Sequence, residues 1–179
     1  MYMRSLSSSR SSSWPLRRRG SQAASASVRW QRGVPQALAA LDTLVDPDYT
    51  DVVTGPVSST SDRTPEQSAR AVLGSLPRGL VLVVPFVQRV FLGLRLQLRP
   101  SPEHLLGWKI AARGEDWIRI EAASWFLTGH VVMQVVDGVL SFATFVHYDR
   151  WPAALVWPPI SLIHRQVALI LVRGAARVG

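Results

Sequence analysis

Four histidines, at positions 104, 130, 147 and 164, are the residues of this chain best suited to metal or acid–base chemistry, and there is no cysteine. A thiol nucleophile, a thiolate metal site and a disulfide framework are thereby excluded. The histidines are far apart and make neither an HxH nor an HExxH spacing, so no metal site is expected. No GxSxG elbow exists to strain a serine for attack, which argues against a Ser-His-Asp hydrolase. A His or carboxylate beside an apolar pocket has a shifted pKa and can transfer protons. His164, between Ile163 and Arg165 in an apolar stretch, is the catalytic candidate, with Thr144, Gln134 and Glu121 as candidate partners. In the simpler reading His164 bonds a backbone carbonyl or lies at a helix surface, with Arg165 reaching out to solvent.

The net charge of +8 is unevenly placed. Residues 1–33 hold Arg4, Arg10, Arg17, Arg18, Arg19, Arg29 and Arg32 and no acid, leaving 13 basic residues against 12 acidic ones in the remainder. That remainder lacks a basic stripe, so nucleic acid is not expected as a partner of the folded part. The Ser/Arg-rich opening has too few aliphatic residues to offset its ordering entropy, and the expected organisation is a disordered tail over 1–33 and one domain over 34–179. No apolar h-region follows Arg19, which argues against a secretory signal. The opening resembles a transit peptide; a solvated tail or a start codon placed too far upstream is the simpler reading, and such an arm could touch RNA or anionic lipid.

Downstream, "VPQALAALDTLV" leads into "DPDYTDVVTGPVS", where Tyr49, Val52, Val53 and Val57 suit a strand. A helix is then expected from Thr64 as N-cap and Pro65 at the first helical position, with Ala69, Val72, Leu73 and Leu76 on its apolar face. A second helix, buried and amphipathic, is expected to start near Pro85. Residues 107–148 read as an antiparallel meander, with Asp137-Gly138 as a hairpin turn between two β-branched runs. Pro158-Pro159 should fix the start of a final helix near Pro159, with Ile160, Ile163, Val167, Ile170 and Leu171 at helical spacing.

This order, together with "LGSLPRGLVLVVPFVQRVFLGLRL", "SFATFVHYD" and "LIHRQVALILVRGA", resembles START-like helix-grip proteins (the SRPBCC, polyketide cyclase-like superfamily), in particular an uncharacterised, DUF2867-like bacterial branch. The resemblance covers roughly residues 42 to 178; Pro158-Pro159 and the Arg/Ser leader depart from it. It implies an α+β helix-grip fold: an antiparallel sheet wrapped around a long C-terminal helix, with one or two additional helices after the first strand. It also implies a cavity between sheet and helix for a hydrophobic small molecule or lipid, and puts Thr144 and His164 where family members carry a strand threonine and a helix histidine. The expected lining is Trp108, Ile118, Ile120, Val132, Gln134, Phe142, Thr144, Trp157, Ile160 and His164, with Trp108 and Trp157 at the rim. No cofactor is expected. The functional expectation is binding without catalysis in a cytoplasmic or peripherally membrane-associated protein, with a membrane surface as a further partner. One alternative, which the resemblance brings in, is a cyclase/dehydratase-like enzyme using the same cavity for proton transfer. The other is a membrane protein with apolar segments near 80–98 and 151–172, although the arginines within 80–98 are costly in a span.

Overall fold

An antiparallel sheet of seven strands organises the computed structural model, which describes residues 27–57, 64–74, 76–97, 99 and 101–175. In chain order the strands are β1 (Arg29–Arg32), β2 (Tyr49–Pro56), β3 (His104–Leu105), β4 (Trp108–Arg113), β5 (Trp117–Ala123), β6 (Thr128–Val136) and β7 (Val139–His147). Across the sheet they lie in the order β1-β2-β7-β6-β5-β4-β3. The meander expected from the alternation is therefore present as β4 to β7. Its last turn has Asp137 and Gly138 both at positive φ, 50° and 73°, the geometry of a tight type I′ hairpin. The expected strand near Tyr49 is β2, which pairs with the final strand so that Asp51 lies opposite Thr144.

Four helices accompany the sheet: α1 (Gln36–Ala39), α2 (Pro65–Gly74), α3 (Arg78–Val90) and α4 (Pro152–Ala175). The start of α2 follows its sequence signature. Thr64 Oγ1 accepts a hydrogen bond from the Gln67 backbone N–H at 3.2 Å, and Gln67 Oε1 accepts one from the Thr64 N–H at 3.0 Å, a reciprocal capping box. Ala69, Val72, Leu73 and Leu76 are all buried, as their spacing predicts.

The core has two sides. On the inner face, Val53, Ile118, Ile120, Val131, Met133, Leu140 and Phe142 pack with α2 and with Ala168, Leu171 and Val172 of α4. On the outer face, Val52, Val132, Ala143 and Phe145 are covered by Leu38 of α1 and by Val34, Leu41 and Leu44 around it. Asp42 and His130 pin this cover, Nδ1 to Oδ1 at 2.6 Å, with both side chains buried.

Three expectations are corrected. Residues 27–33 belong to the fold rather than to a tail: β1 is an edge strand on β2, and the Trp30 indole N–H donates to Asp51 Oδ2 at 3.0 Å. Residues 1–26 lie outside the described residues. The last helix begins at Pro152, not near Pro159, and carries both Pro158 and Pro159. The carbonyls that lose helical partners there, four residues back, belong to the exposed Ala154 and Leu155. Helix α3 begins at Arg78, directly after Pro77, carries Pro85 in its interior and has no fully buried residue.

Trp30→Phe keeps the ring and removes the donor to a buried carboxylate, so it should lower stability by about 1 to 3 kcal/mol. Arg29→Ala on the same strand should change it by less than about 0.5 kcal/mol. Urea denaturation at pH 7 measures both; equal, negligible effects would detach β1 from the cooperative unit.

Candidate functional site

A cavity of about 120 Å³ lies between the inner sheet face and the helices. Leu73 and Leu76 on the α2 side, Leu80, Val84 and Val87 of α3, and α4 from Trp157 to Leu171 form its helical walls. At 1.5 Å rise per residue this stretch of α4 is about 21 Å long. A cavity of about 150 Å³ holds benzene, so this smaller one accepts a short alkyl segment with its walls at rest. Helix α3, with no fully buried residue, is the wall held by the least packing.

Seven of the expected lining residues are brought together here: Trp108, Ile120, Phe142, Thr144, Trp157, Ile160 and His164. Three are not. Ile118 faces the same side but is sealed within the packed core, with no exposed surface. Val132 and Gln134 point to the opposite face, Val132 into the outer core and Gln134 to Asp116, whose Oδ2 accepts its Nε2–H at 2.9 Å. In β6 the inward residues are Val131 and Met133. A strand buried on both sides has apolar residues in both phases, so alternation alone does not choose between them.

The polar groups of the cavity gather at one half of α4. His164 Nε2 and Thr144 Oγ1 are hydrogen-bonded at 2.8 Å. The imidazole is flanked by Trp157 at 5.6 Å and Phe142 at 6.3 Å between ring centroids. Desolvation holds the His164 pKa below its ordinary value, and the charge of Asp51 opposes that shift. Gln134 and Glu121, the other candidate partners, do not reach it: Glu121 is engaged with Lys109 at 3.6 Å. The simpler reading of His164 is corrected as well, since its partner is a side chain in the cavity wall. Arg165 stacks its guanidinium 4.4 Å from the centre of the Trp30 ring. Trp157 is buried, and its Nε1–H has no hydrogen-bond partner among the described residues. Trp108 donates its Nε1–H to Gln88 Oε1 at 3.2 Å.

Behind Thr144 stands Asp51, with no exposed surface. Its Oδ2 accepts from Trp30 Nε1–H and from the Tyr49 hydroxyl at 2.6 Å, while Oδ1 has no partner among the described residues. Burial, and then the bond to Asp51, push the Tyr49 pKa well above its ordinary value. Asp51 is not among the residues expected from the sequence, although it falls in phase with Tyr49 and Val53 on a strand whose inner face is apolar. Leu80 and Val84 of the wall precede the helix start expected near Pro85, whereas Val87 lies within the expected helix and has no sequence signal that marks it as lining. No cluster of three or more His, Cys, Asp or Glu able to hold a metal ion occurs among the described residues.

No family model matches the chain, and no curated protein matches it.

A histidine with a depressed folded pKa binds fewer protons than the unfolded chain below the unfolded value, so its neutral burial favours the fold above about pH 6.5 and that advantage is lost as pH falls through the lowered folded pKa. Urea midpoints for the natural chain should fall between pH 7.5 and 5, and fall less for His164→Asn. Parallel pH profiles would contradict the buried placement of the imidazole.

Proposed function

We propose that the protein is a ligand-binding domain of helix-grip type, akin to START-like proteins, that takes the apolar part of a small amphipathic molecule between its sheet and α4. The polar end of that molecule, an acceptor such as a carbonyl or hydroxyl oxygen, meets the Trp157 Nε1–H and the Thr144–His164 pair. The observation that carries this reading is the cavity itself, whose wall is almost wholly apolar apart from the Thr144–His164 pair and Gln88, and which is lined by Trp157, whose buried Nε1–H has no partner among the described residues. Buried donors in folded proteins are nearly always satisfied, so an orphan beside a cavity points to a ligand atom or water. Ligands larger than a short chain require α3 to yield, which its light packing favours.

The probes are 2-octanone and octane, which differ in the acceptor oxygen. The ketone should raise the melting temperature and quench tryptophan fluorescence, with a stabilisation of about 2.7 kcal/mol at one hundred times its Kd. Ile160→Trp, which fills the cavity, should abolish the effect, and Leu155→Trp on the exposed side of α4 should leave it intact. Trp157→Phe should reduce the preference for ketone over alkane by roughly 3- to 10-fold, the worth of one hydrogen bond. Absence of stabilisation by either probe would sink the reading.

A second reading has one observation in its favour, the juxtaposition of Thr144, His164 and the buried Asp51. An imidazole kept neutral in apolar surroundings can take a proton from carbon next to a carbonyl, as a cyclase or dehydratase requires. Hydrogen–deuterium exchange at the α-carbons of bound 2-octanone, followed by proton NMR, separates the two. Exchange above the buffer rate that His164→Gln removes without loss of binding supports catalysis; binding without such exchange supports a carrier.

A further inference from the structure

Helices α3 and α4 carry an apolar surface that the fold does not cover. Leu82, Phe86 and Phe91 at the α3 side, and Leu155, Leu162 and Ile163 on α4, are all more than half exposed. Val83 and Ile163 each line the cavity and are themselves at least half exposed, so the two helices meet the cavity and solvent at the same place. Soluble proteins rarely leave so many large apolar side chains together at the surface without a partner for them.

The two helices themselves carry charge of one sign, with the acids Glu103 and Asp149 just beyond them in sequence. Residues 78–102 contain Arg78, Arg89, Arg95 and Arg99 and no acid, and residues 150–175 contain Arg150, Arg165 and Arg173 and no acid. Arg78, Arg89, Arg150 and Arg173 are exposed, and none has a carboxylate partner among the described residues. Two exposed tryptophans border the apolar patch, Trp151 at the start of α4 and Trp125 beside Gly93 just after α3. The Arg150 guanidinium lies 5.9 Å from the centre of the Trp125 ring. Apolar residues flanked by indoles and unpaired arginines match the layers of a lipid interface: acyl chains, the headgroup boundary and anionic phosphate. A second copy of the chain fits less well, because a self-complementary contact would set the arginines of the two helices against one another, and the helices themselves carry no acid to offset them.

We infer that the α3/α4 face docks onto the surface of an anionic bilayer, with Leu82, Phe86, Leu162 and their neighbours inserted at the headgroup boundary. Docking stands on the exposed face alone. That it sets the cavity mouth against lipid, as a route for an amphipathic ligand, rests on the binding reading given above. Helix α4 is also the one helix among the described residues that is by itself long and apolar enough to cross a bilayer, but its buried side, Trp157, Ala168, Leu171 and Val172, is packed into the core. Surface docking uses the other side and leaves that packing in place.

The test is flotation of the full chain with vesicles of phosphatidylcholine and phosphatidylglycerol (3:1), against vesicles of phosphatidylcholine alone, at 0.1 M salt. The expected result is binding to the anionic vesicles with a blue shift in tryptophan emission, reversed by alkaline carbonate. Phe86→Glu combined with Leu162→Glu should weaken binding more than tenfold with an unchanged melting temperature, and Arg78→Gln and Arg89→Gln should weaken it by roughly fivefold each. The cavity-filling Ile160→Trp protein should bind vesicles as the natural chain does, whether or not it has lost 2-octanone, so failure of the ligand reading is visible separately. Binding to neither vesicle, or binding that the face variants leave unchanged and that therefore belongs to the Arg-rich residues 1–33, overturns the inference. So does protein that resists carbonate, the behaviour of a spanning helix, or a dimer dissolved by the same variants without vesicle binding.

Discussion

Helix α4 is packed on the sheet near both of its ends, and two of its contacts differ in kind. At one, Gly55 on β2 allows Val172 to approach so closely that a Cβ on residue 55 would lie 2.5 Å from Val172 Cγ1. At the other, Thr144 and His164 hold helix and sheet through a hydrogen bond rather than through interlocking aliphatic groups. From Trp157 to Leu171 side chains of ordinary size do not fill the space between helix and sheet, and the remaining wall is supplied by α3. A helix seated by apolar contacts along its whole length would have closed the cavity.

The two sheet faces are covered in different ways. Residues 34–44 close the outer face with Leu38, Leu41 and Leu44 and with the buried Asp42–His130 pair, giving a dry second core. The inner face carries the cavity and, behind Thr144, the buried Asp51 held by Trp30 and Tyr49. Because Trp30 also stacks on Arg165 of α4, the edge strand β1 stabilises both the carboxylate and the helix register near His164. The polar pole of the cavity thus depends on an N-terminal strand far from it in sequence.

The elements most legible in the sequence were those whose signals are local. The Thr64 N-cap and the Asp137-Gly138 hairpin fix their own geometry, and both occur as expected. What was not legible depended on partners far along the chain. Trp30 and Arg32 looked like part of a solvated leader because only β2 and Asp51 give them a role. The phase of β6 was hidden by its burial on both faces, which is why Val132 and Gln134 were assigned to the wrong side. Pro158-Pro159 suggested a helix start, but exposed carbonyls one turn earlier tolerate the lost bonds and α4 continues through them. His164 and Thr144 were named from a resemblance, and their mutual hydrogen bond required the fold.

Proton NMR of the Trp157 indole is the most direct probe of the cavity as a binding site with a polar pole. On titration with 2-octanone, the Trp157 Nε1–H resonance is predicted to move downfield as it gains an acceptor, with cross-peaks from the ketone's α-protons to the Trp157 and His164 rings. An indole resonance that stays fixed while the ketone binds, or cross-peaks to the outer-face residues Val132 and Gln134, would contradict it.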